Sequence, residues 1–243
     1  MDAAGVATTR AASDIVEMSD VSFAWPGRAG FSLTIDRFTL KRGHKVLLLG
    51  PSGGGKSTLL SLLAGIVTPK AGRIEILGTD ITRLSGARRD RFRAEHIGVI
   101  FQMFNLLPYG SALDNVVLPL AFAPERRRRA SREHDTESEA RRLLTALGLP
   151  KERIERSASE LSVGQQQRVA AARALIGRPE LIIADEPTSA LDDHAKARFL
   201  ELLFQQLDAA GASLLMVSHE TELGGYFDET IRLEDLIERR EAA

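Results

Sequence analysis

The chain has 243 residues, 44% of them hydrophobic, which is enough for one large domain or two small ones and excludes a disordered or fibrous protein. Its 32 basic and 33 acidic side chains give a formal net charge of -1, so no overall field favours nucleic acid or an anionic bilayer. The absence of cysteine excludes disulfides, thiolate zinc sites and cysteine nucleophiles, and it is compatible with a cytosolic protein.

Neither export nor a membrane span is predicted. The longest apolar stretch, residues 59–67, is interrupted by Ser61 and Gly65, whereas a membrane span needs about 20 apolar residues. Residues 1–13 (MDAAGVATTRAAS) lack the apolar core of a signal peptide, and we expect them to form a flexible tail.

Two kinds of strand pattern lie in the chain. Alternating apolar and polar residues at 15–25 and 31–40, separated by Pro26-Gly27, predict an antiparallel N-terminal sheet. Continuous apolar runs, which suit parallel strands covered on both faces, are residues 45–50, 181–184 and 213–217. Helical patterns follow these runs, at residues 56–66 and 194–209 and more weakly after His219. The predicted fold class is therefore α/β with a mostly parallel sheet.

The middle of the chain, about residues 84–165, is rich in Arg, Glu, Leu and Ala and poor in strand signals. We interpret it as an inserted α-helical subdomain. Within it, the highly charged residues 125–139 (ERRRRASREHDTESE) are predicted to be a solvated loop leading into a helix at 138–147. An electrostatic contact with lipid head groups or a partner is the alternative.

Residues 50–57 read GPSGGGKS, which matches G-x-x-x-x-G-K-[ST] and lies between an apolar strand and a helix, as a phosphate-binding loop requires. The glycines let backbone N–H groups curl around an oxyanion, and the helix N-terminus adds its positive dipole end. Lys56 would reach the β- and γ-phosphates of ATP, and Ser57 would offer its hydroxyl to Mg²⁺. A plain glycine-rich turn is the alternative. The predicted ATP-binding residues here are Gly50, Pro51, Ser52, Gly53, Gly54, Gly55, Lys56, Ser57 and Thr58.

Residues 181–186 read LIIADE, an apolar strand that ends in two carboxylates. Adjacent residues on a strand point to opposite sides, so the two acids are expected to do different jobs. Asp185 suits the Mg²⁺ shell, and Glu186 is placed to orient or deprotonate the attacking water. A solvated acidic turn before Pro187 is the alternative, and the phosphate-binding loop argues against it.

Together with residues 161–168 (LSVGQQQR), these motifs resemble the ATP-binding subunits of ABC transporters, over roughly residues 15–233. The resemblance implies a P-loop NTPase (RecA-like) core and one ATPase domain, residues 14–243, that contains the helical subdomain. In that family this segment begins a helix and touches the γ-phosphate bound by the other subunit. Ser162 suits a helix N-cap, Gly164 allows close backbone approach, and Gln165 completes the predicted contact. Each ATP is therefore expected to be shared by two copies of the chain.

One residue departs from the family pattern: Val163 stands where glycine is more common. A β-branched residue disfavours positive φ and adds bulk near the nucleotide, but it tolerates the first turn of a helix. ATPase activity is expected to survive.

Four further residues take their predicted roles from the resemblance. Gln102, after a strand at 97–101, resembles a glutamine that contacts Mg²⁺ or water, and His219 resembles a histidine that senses the γ-phosphate. Asp192, in SALD, matches a loop that crosses the dimer seam. Trp25 matches the aromatic residue that stacks on adenine, with core packing as the alternative. The predicted catalytic residues are Glu186, His219, Gln102 and Lys56, and the predicted metal ligands are Ser57, Gln102 and Asp185.

Residues 101–108 (FQMFNLLP) and 112–120 (ALDNVVLPL) most resemble the subunits that serve lipoprotein release, macrolide-type export and a related cell-division complex. The resemblance implies a membrane permease partner with few spans and a large extracytoplasmic domain, and a position on the inner face of the cell membrane. No nucleic-acid partner is expected. The alternatives are a cell-division ATPase, a soluble non-transport ABC ATPase and a non-hydrolysing regulatory subunit.

Two predictions concern single segments. MFNLLPY places five apolar side chains close together, and a loop that ends at a proline cannot bury them all, so some should line a groove for a partner helix. These side chains are Met103, Phe104, Leu106, Leu107 and Tyr109. After Phe227 the sequence lacks a glycine turn and a second strand, and a short charged helix is expected.

Overall fold

The structure, a computed structural model, describes residues 14–25 and 32–237. The predicted tail at 1–13 and the predicted turn at Pro26-Gly27 lie outside the described residues. The strands are β1 (Asp14–Ala24), β2 (Ser32–Lys41), β3 (Lys45–Leu49), β4 (Ala71–Ile76), β5 (Thr79–Asp80), β6 (Ile97–Ile100), β7 (Leu181–Asp185), β8 (Ser213–Ser218) and β9 (Glu229–Arg232). The α-helices are α1 (Lys56–Leu63), α2 (Gly86–His96), α3 (Ala112–Val117), α4 (Pro124–Ala130), α5 (Thr136–Ala146), α6 (Val163–Leu175), α7 (Asp193–Ala210) and α8 (Leu233–Leu236).

An antiparallel sheet has the strand order β2-β1-β4-β5. In its longest pairing Met18 lies opposite Phe38 and Val21 opposite Ile35, and all four side chains are buried. This confirms the antiparallel strands predicted from alternation. Strand β4 was not predicted, because only its second half is buried and its apolar signal is short.

The second sheet is parallel, with the order β6-β7-β8-β3-β9. Leu47 and Leu49 of β3 pack with helices α3, α5, α6 and α7 on one face. Val46 and Leu48 pack with α1 and the antiparallel sheet on the other face. The continuous apolar runs therefore lie between two covered faces, which confirms the α/β class with a mostly parallel sheet.

The carboxyl ends of β3, β6, β7 and β8 lie at one edge of the parallel sheet. Gly50, Gln102, Glu186 and His219 follow these four ends along the chain. Ligands bind at such an edge in open α/β sheets, so the topology brings the predicted site residues together.

Strand β6 falls inside the range predicted for the helical subdomain but belongs to the parallel sheet, where it pairs with β7. Helices α3, α5 and α6 pack together beyond it around one shared core. The division into a core and a helical subdomain stays a prediction.

The interpretation of residues 125–139 as a solvated loop is wrong for its first part, because α4 occupies it and Arg126 is only 3% exposed. The Arg126 guanidinium donates hydrogen bonds to the carbonyls of Ala174 and Ile176, at 2.6 Å each. These carbonyls lie at the C-terminal end of α6, where helix carbonyls lack intrahelical partners. The arginine therefore caps a neighbouring helix rather than meeting solvent.

Helix α5 begins at Thr136 rather than at residue 138, because the Asp135 side chain accepts hydrogen bonds from the backbone N–H groups of Glu137 and Ser138. Such N-caps satisfy donors that the first turn leaves free. The helix predicted at 56–66 ends earlier, at Leu63.

The C-terminal part differs from the prediction in two elements. The segment after His219 forms a 3₁₀ helix, Thr221–Tyr226, rather than an α-helix. Strand β9 was not predicted; it pairs with β3 at the edge of the sheet, and most of its side chains are exposed. The short charged helix is confirmed as α8. None of the described helices is both long and apolar enough to span a membrane.

Candidate functional site

The phosphate-binding loop connects β3 to α1, as predicted. Gly53 has φ +73°, and Gly55, which precedes the first residue of α1, has φ 106°. Residues with a side chain rarely adopt these angles, so the turn requires glycine at both positions. Lys56 is the first residue of the helix and is buried.

Lys56 faces into the loop and holds the predicted catalytic carboxylate. Its Nζ donates to the carbonyl of Gly50 at 2.7 Å and lies 2.9 Å from Glu186 Oε1. Glu186 follows directly after β7 with φ 44°, and its backbone N–H donates to the carbonyl of Val217 on β8. This left-handed conformation is uncommon for a residue with a side chain and turns the carboxylate away from that of Asp185.

Asp185 lies on the other side of the strand end, where its Oδ2 accepts a hydrogen bond from Ser57 Oγ at 3.2 Å. Burial raises the pKa of the Asp185 carboxyl above its ordinary value; the hydrogen bond from Ser57 opposes this and the nearby Glu186 carboxylate adds to it. The two carboxylates thus have separate partners, as the alternation along the strand predicts.

His219 completes this group from the end of β8. Its Nδ1 lies 3.1 Å from Glu186 Oε2, and its side chain is 52% exposed. Glu186 therefore lies between a buried ammonium group and a solvent-facing imidazole.

A cleft of about 280 Å³ opens over Lys56, Asp185 and Glu186, and His219 does not line it. Its walls are Trp25, Ser52, Gly53, Gly55, Lys56, Ser57, Thr58, Gln102, Asp185 and Glu186. Trp25 Nε1 donates to Thr58 Oγ1 at 3.1 Å, and its ring meets Phe23 edge to face with centroids 5.1 Å apart. The tryptophan thus lines the cleft and also contacts the core, and its stacking on adenine stays a prediction.

The residues of the LSVGQQQR segment and Asp192 do not line this cleft. Ser162 is the N-cap of α6, as predicted: its Oγ accepts from the N–H of Gln165, whose side chain accepts from the N–H of Ser162. Asp192 caps α7 by accepting from the N–H of Ala195 at 2.8 Å. The structure therefore divides the predicted site residues into two groups.

A family model described as ABC transporter matches residues 33–189, more than half of the chain. The chain belongs to the ABC transporter family. It is 42% identical over 196 residues to the lipoprotein-releasing system ATP-binding protein LolD of Novosphingobium aromaticivorans. The aligned residues cover 81% of this chain and 84% of that protein. The chain is 39% identical over 196 residues to the macrolide export ATP-binding/permease protein MacB of Rhodopirellula baltica, covering 81% of this chain and 28% of that protein.

Among solved structures, this chain is similar to the ATP-binding cassette MJ0796 in a dimeric post-hydrolysis state bound to ADP and Pi. The TM-score is 0.75 at 30% identity, with 94% of this chain and 100% of that chain covered. The P-loop NTPase fold is therefore confirmed, and the chain is an ATP-binding and ATP-hydrolysing subunit of an ABC transporter.

Sequence reasoning missed several buried polar residues, and one of them, Gln167, contacts the segment that follows β7. Gln167, on α6, is 1% exposed. Its side chain donates to the carbonyl of Pro187, the residue that follows Glu186, at 2.7 Å. It links the helix that Ser162 caps to the segment after β7 that carries the predicted catalytic residue Glu186. The signal available was its spacing of three and seven residues from the buried Ala170 and Ala174 on the same helix face.

Replacing Val163 with glycine is expected to change the ATPase rate by less than about tenfold. Val163 is the first residue of α6 and is 50% exposed, so its side chain fills no core and its loss leaves the packing of the helix intact. Steady-state phosphate release measures the effect, with Val163→Ala as the control for loss of the β-branch alone. A rise of a hundredfold or more would show that the valine suppresses turnover.

Proposed function

We propose that this chain powers a membrane permease of the lipoprotein-release or macrolide-export type, with two copies of the chain sharing two ATP molecules. The LolD relative is named as the ATP-binding protein of a lipoprotein-releasing system, and the MacB relative is named for both ATP-binding and permease functions. The MJ0796 cassette is described as dimeric. The permease is proposed to have few spans and a large extracytoplasmic domain and to hold the chain at the inner face of the membrane.

The observation that carries the proposal is the placement of Glu186 between Lys56 and His219. A cation on a phosphate-binding loop is the group that meets the β- and γ-phosphates of ATP. When the phosphates bind Lys56, they weaken the ion pair between Lys56 and Glu186. The Glu186 carboxylate can then turn to the attacking water and accept the proton of that water. His219 is proposed to sense the γ-phosphate through its contact with Glu186.

Ser57 and Asp185 fit a Mg²⁺ site, because hydroxyl and carboxylate oxygens are ligands that this ion prefers, and here they lie 3.2 Å apart. The described residues contain no group of three or more His, Cys, Asp or Glu side chains that could hold a metal. Mg²⁺ commonly takes its remaining ligands from phosphates and water. When bound, the ion neutralises phosphate charge. Gln102 is proposed as a further ligand from the wall of the cleft.

Ser162, Gly164, Gln165 and Asp192 are proposed to complete the ATP site of the second copy. Their side chains lie outside the cleft of their own chain. The capped N-terminus of the 13-residue helix α6 offers backbone N–H groups and a positive dipole end to a γ-phosphate. One chain thus binds the phosphates and the other closes over them.

A second concavity, which we call the docking groove, is proposed to hold a helix of the permease. Its volume is about 280 Å³, and its apolar lining includes Ile66, Val99, Phe101, Pro119 and Phe122. Ile66 and Phe122 are 53% and 71% exposed, which leaves large apolar surface for a partner. An amphipathic helix is the usual occupant of such a groove.

None of the five side chains predicted to line a groove is among the residues that line the docking groove. Phe104 is buried in the core, and Leu106 packs against it. Met103 and Tyr109 are exposed, at 82% each. The sequence did not show which of these side chains are buried, because the turn at Phe104 directs neighbouring side chains to opposite sides.

The paired change Ile66→Asp and Phe122→Asp is expected to abolish co-purification with the permease from detergent-solubilised membranes. An apolar helix that docked in the groove would have to remove water from two carboxylates, which costs free energy that its apolar face cannot replace. Folding, followed by thermal unfolding, and basal ATPase activity should be retained. Tyr226→Asp, at a side chain that is 49% exposed outside the groove, is the matched control. Unchanged recovery of the permease would contradict the docking proposal.

A further inference from the structure

The segment that borders the docking groove, residues 102–110, has an unusual backbone, and we call it the docking loop. Phe104 and Asn105 are consecutive non-glycine residues with φ 58° and 48°. Asparagine tolerates a left-handed angle, but for phenylalanine it is costly and persists only where surrounding contacts hold it. Asn105 also lines the groove.

Arg173 of helix α6 holds this strained turn. Its guanidinium donates to the carbonyl of Asn105 at 2.7 Å and also to the carbonyl of Phe104. Arg173 forms no ion pair within the described residues, so the two carbonyls of the docking loop are its hydrogen-bond acceptors. Its planar fork fixes both carbonyls at once.

Asn115 of helix α3 holds the far end of the docking loop. This side chain is fully buried; its Oδ1 accepts from the N–H of Leu107 at 2.7 Å, and its Nδ2 donates to the carbonyls of Leu107 and Ser111 at 3.1 and 2.9 Å. The docking loop is therefore fastened at both ends to helices that share one core, α3 and α6.

The attachment of the docking loop to the ATP cleft of its own chain is weaker. Gln102 reaches the cleft, but its side chain is exposed and hydrogen-bonds to no other described residue. Helix α6, by contrast, runs without interruption from Arg173 back to Val163, a distance of about 15 Å at 1.5 Å per residue. A displacement of the docking loop is thus transmitted more directly to the Ser162 end of α6.

We propose that Arg173 is a positioning residue that couples movement of the permease to the ATP held by the other copy of the chain. The permease moves the docking loop, Arg173 passes the displacement to α6, and the helix moves Ser162 and Gly164 against the partner's nucleotide. This rests on the proposed function, which supplies both the docked permease and the shared site. The new element is the direction of coupling: the signal passes from the permease docked on one copy to the ATP bound by the other copy.

Mixed pairs of chains, purified with the permease through two different tags, test this direction. Glu186→Gln in one copy leaves a single active cleft. The unmodified copy supplies Lys56 and Glu186 of that cleft, and the Glu186→Gln copy supplies the Ser162 segment that closes it. Arg173→Met keeps the apolar stem and removes the donors. Arg173→Met placed in the Glu186→Gln copy should lower permease-stimulated ATPase activity at least about fivefold, which is the smallest effect typical of allosteric coupling. In the other copy it should leave the stimulation unchanged.

Arg173→Lys, which keeps the charge and part of the reach, should restore some stimulation in the sensitive copy. Equal losses in both copies, or a loss confined to the copy with intact Glu186, would overturn the proposed direction. Loss of the permease from the purified complex would also overturn it, because Arg173 would then act in docking. An unmodified pair that shows no stimulation by the permease would refute the proposed function instead.

A second variant addresses the same coupling from the exposed docking loop, where misfolding is a smaller risk. Asn105→Val disfavours the left-handed angle and should turn the carbonyls away from Arg173, whereas Asn105→Gly adopts that angle freely. The valine variant should reproduce the loss seen with Arg173→Met in the same copy, and the glycine variant should not. Full stimulation with the valine variant would overturn the role assigned to this contact.

Discussion

Replacing Glu186 with glutamine is expected to lower ATP turnover by about a thousandfold while ATP binding is retained. The change removes the carboxylate that we propose accepts the proton of the attacking water, and general-base catalysis typically contributes 10² to 10⁴ in rate. Shape is kept, and Lys56 retains its hydrogen bond to the carbonyl of Gly50. Asp185 and Ser57 are untouched, so the proposed Mg²⁺ ligands remain.

Because ATP then stays bound, the Glu186→Gln chain should form a dimer in Mg-ATP that separates without nucleotide. Light scattering coupled to size exclusion measures this, and phosphate release measures turnover. Glu220→Gln makes the same change of charge at a carboxylate that pairs with Lys196 outside the cleft. It should leave turnover within about twofold, since neither Glu220 nor Lys196 lines the cleft. Monomers under all conditions would contradict the shared site.

The ATP cleft could be predicted from the sequence because each of its parts is local. The phosphate-binding loop needs only a strand, glycines and a helix start in succession, and the structure places Gly53, Gly55 and Lys56 in that order. Glu186 and His219 follow strands whose apolar runs are plain in the sequence. Since parallel strands end at one edge, predicting the strands predicts the meeting of these residues.

Contacts between distant segments could not be predicted in the same way. Arg126 belongs to a run of four arginines, and composition does not distinguish the one that is buried from those that are exposed. Burial lowers its pKa to about 9, and it remains charged at neutral pH against main-chain carbonyls. Those carbonyls lie about fifty residues further along the chain. Arg173 and Gln167 also contact backbone carbonyls of other segments, and carbonyls leave no trace in a sequence.

Edge elements escaped prediction for a different reason. Strand β9 exposes most of its side chains, so it lacks the apolar run that identified β3, β7 and β8. It is held by backbone pairing with β3, from Val46 opposite Glu229 to Leu49 opposite Arg232. Hydrophobic periodicity reports burial rather than backbone pairing, so a strand of this kind has no clear signal.

The Lys56→Ala variant is expected to bind ATP roughly 10- to 100-fold more weakly and to hydrolyse it at least about a hundredfold more slowly. Lys56 is proposed to donate charge-assisted hydrogen bonds to the phosphates, and each such bond is worth about 1.5–3 kcal/mol. The loss of binding distinguishes it from Glu186→Gln, which removes turnover alone. Fluorescent ATP-analogue titration and phosphate release measure the two effects.

The same change has a cost in the nucleotide-free chain, because it leaves the buried Glu186 carboxylate with only His219 beside it. Breaking a buried ion pair typically destabilises by about 3–5 kcal/mol, and the histidine should keep the loss at or below the lower end. Combining Lys56→Ala with Glu186→Gln removes both charges, so it should recover most of the unfolding free energy measured in urea without recovering ATP binding. If the double variant regained ATP affinity, Glu186 repulsion rather than the missing Lys56 would be the cause of weak binding, and the role of Lys56 as the phosphate ligand would be lost.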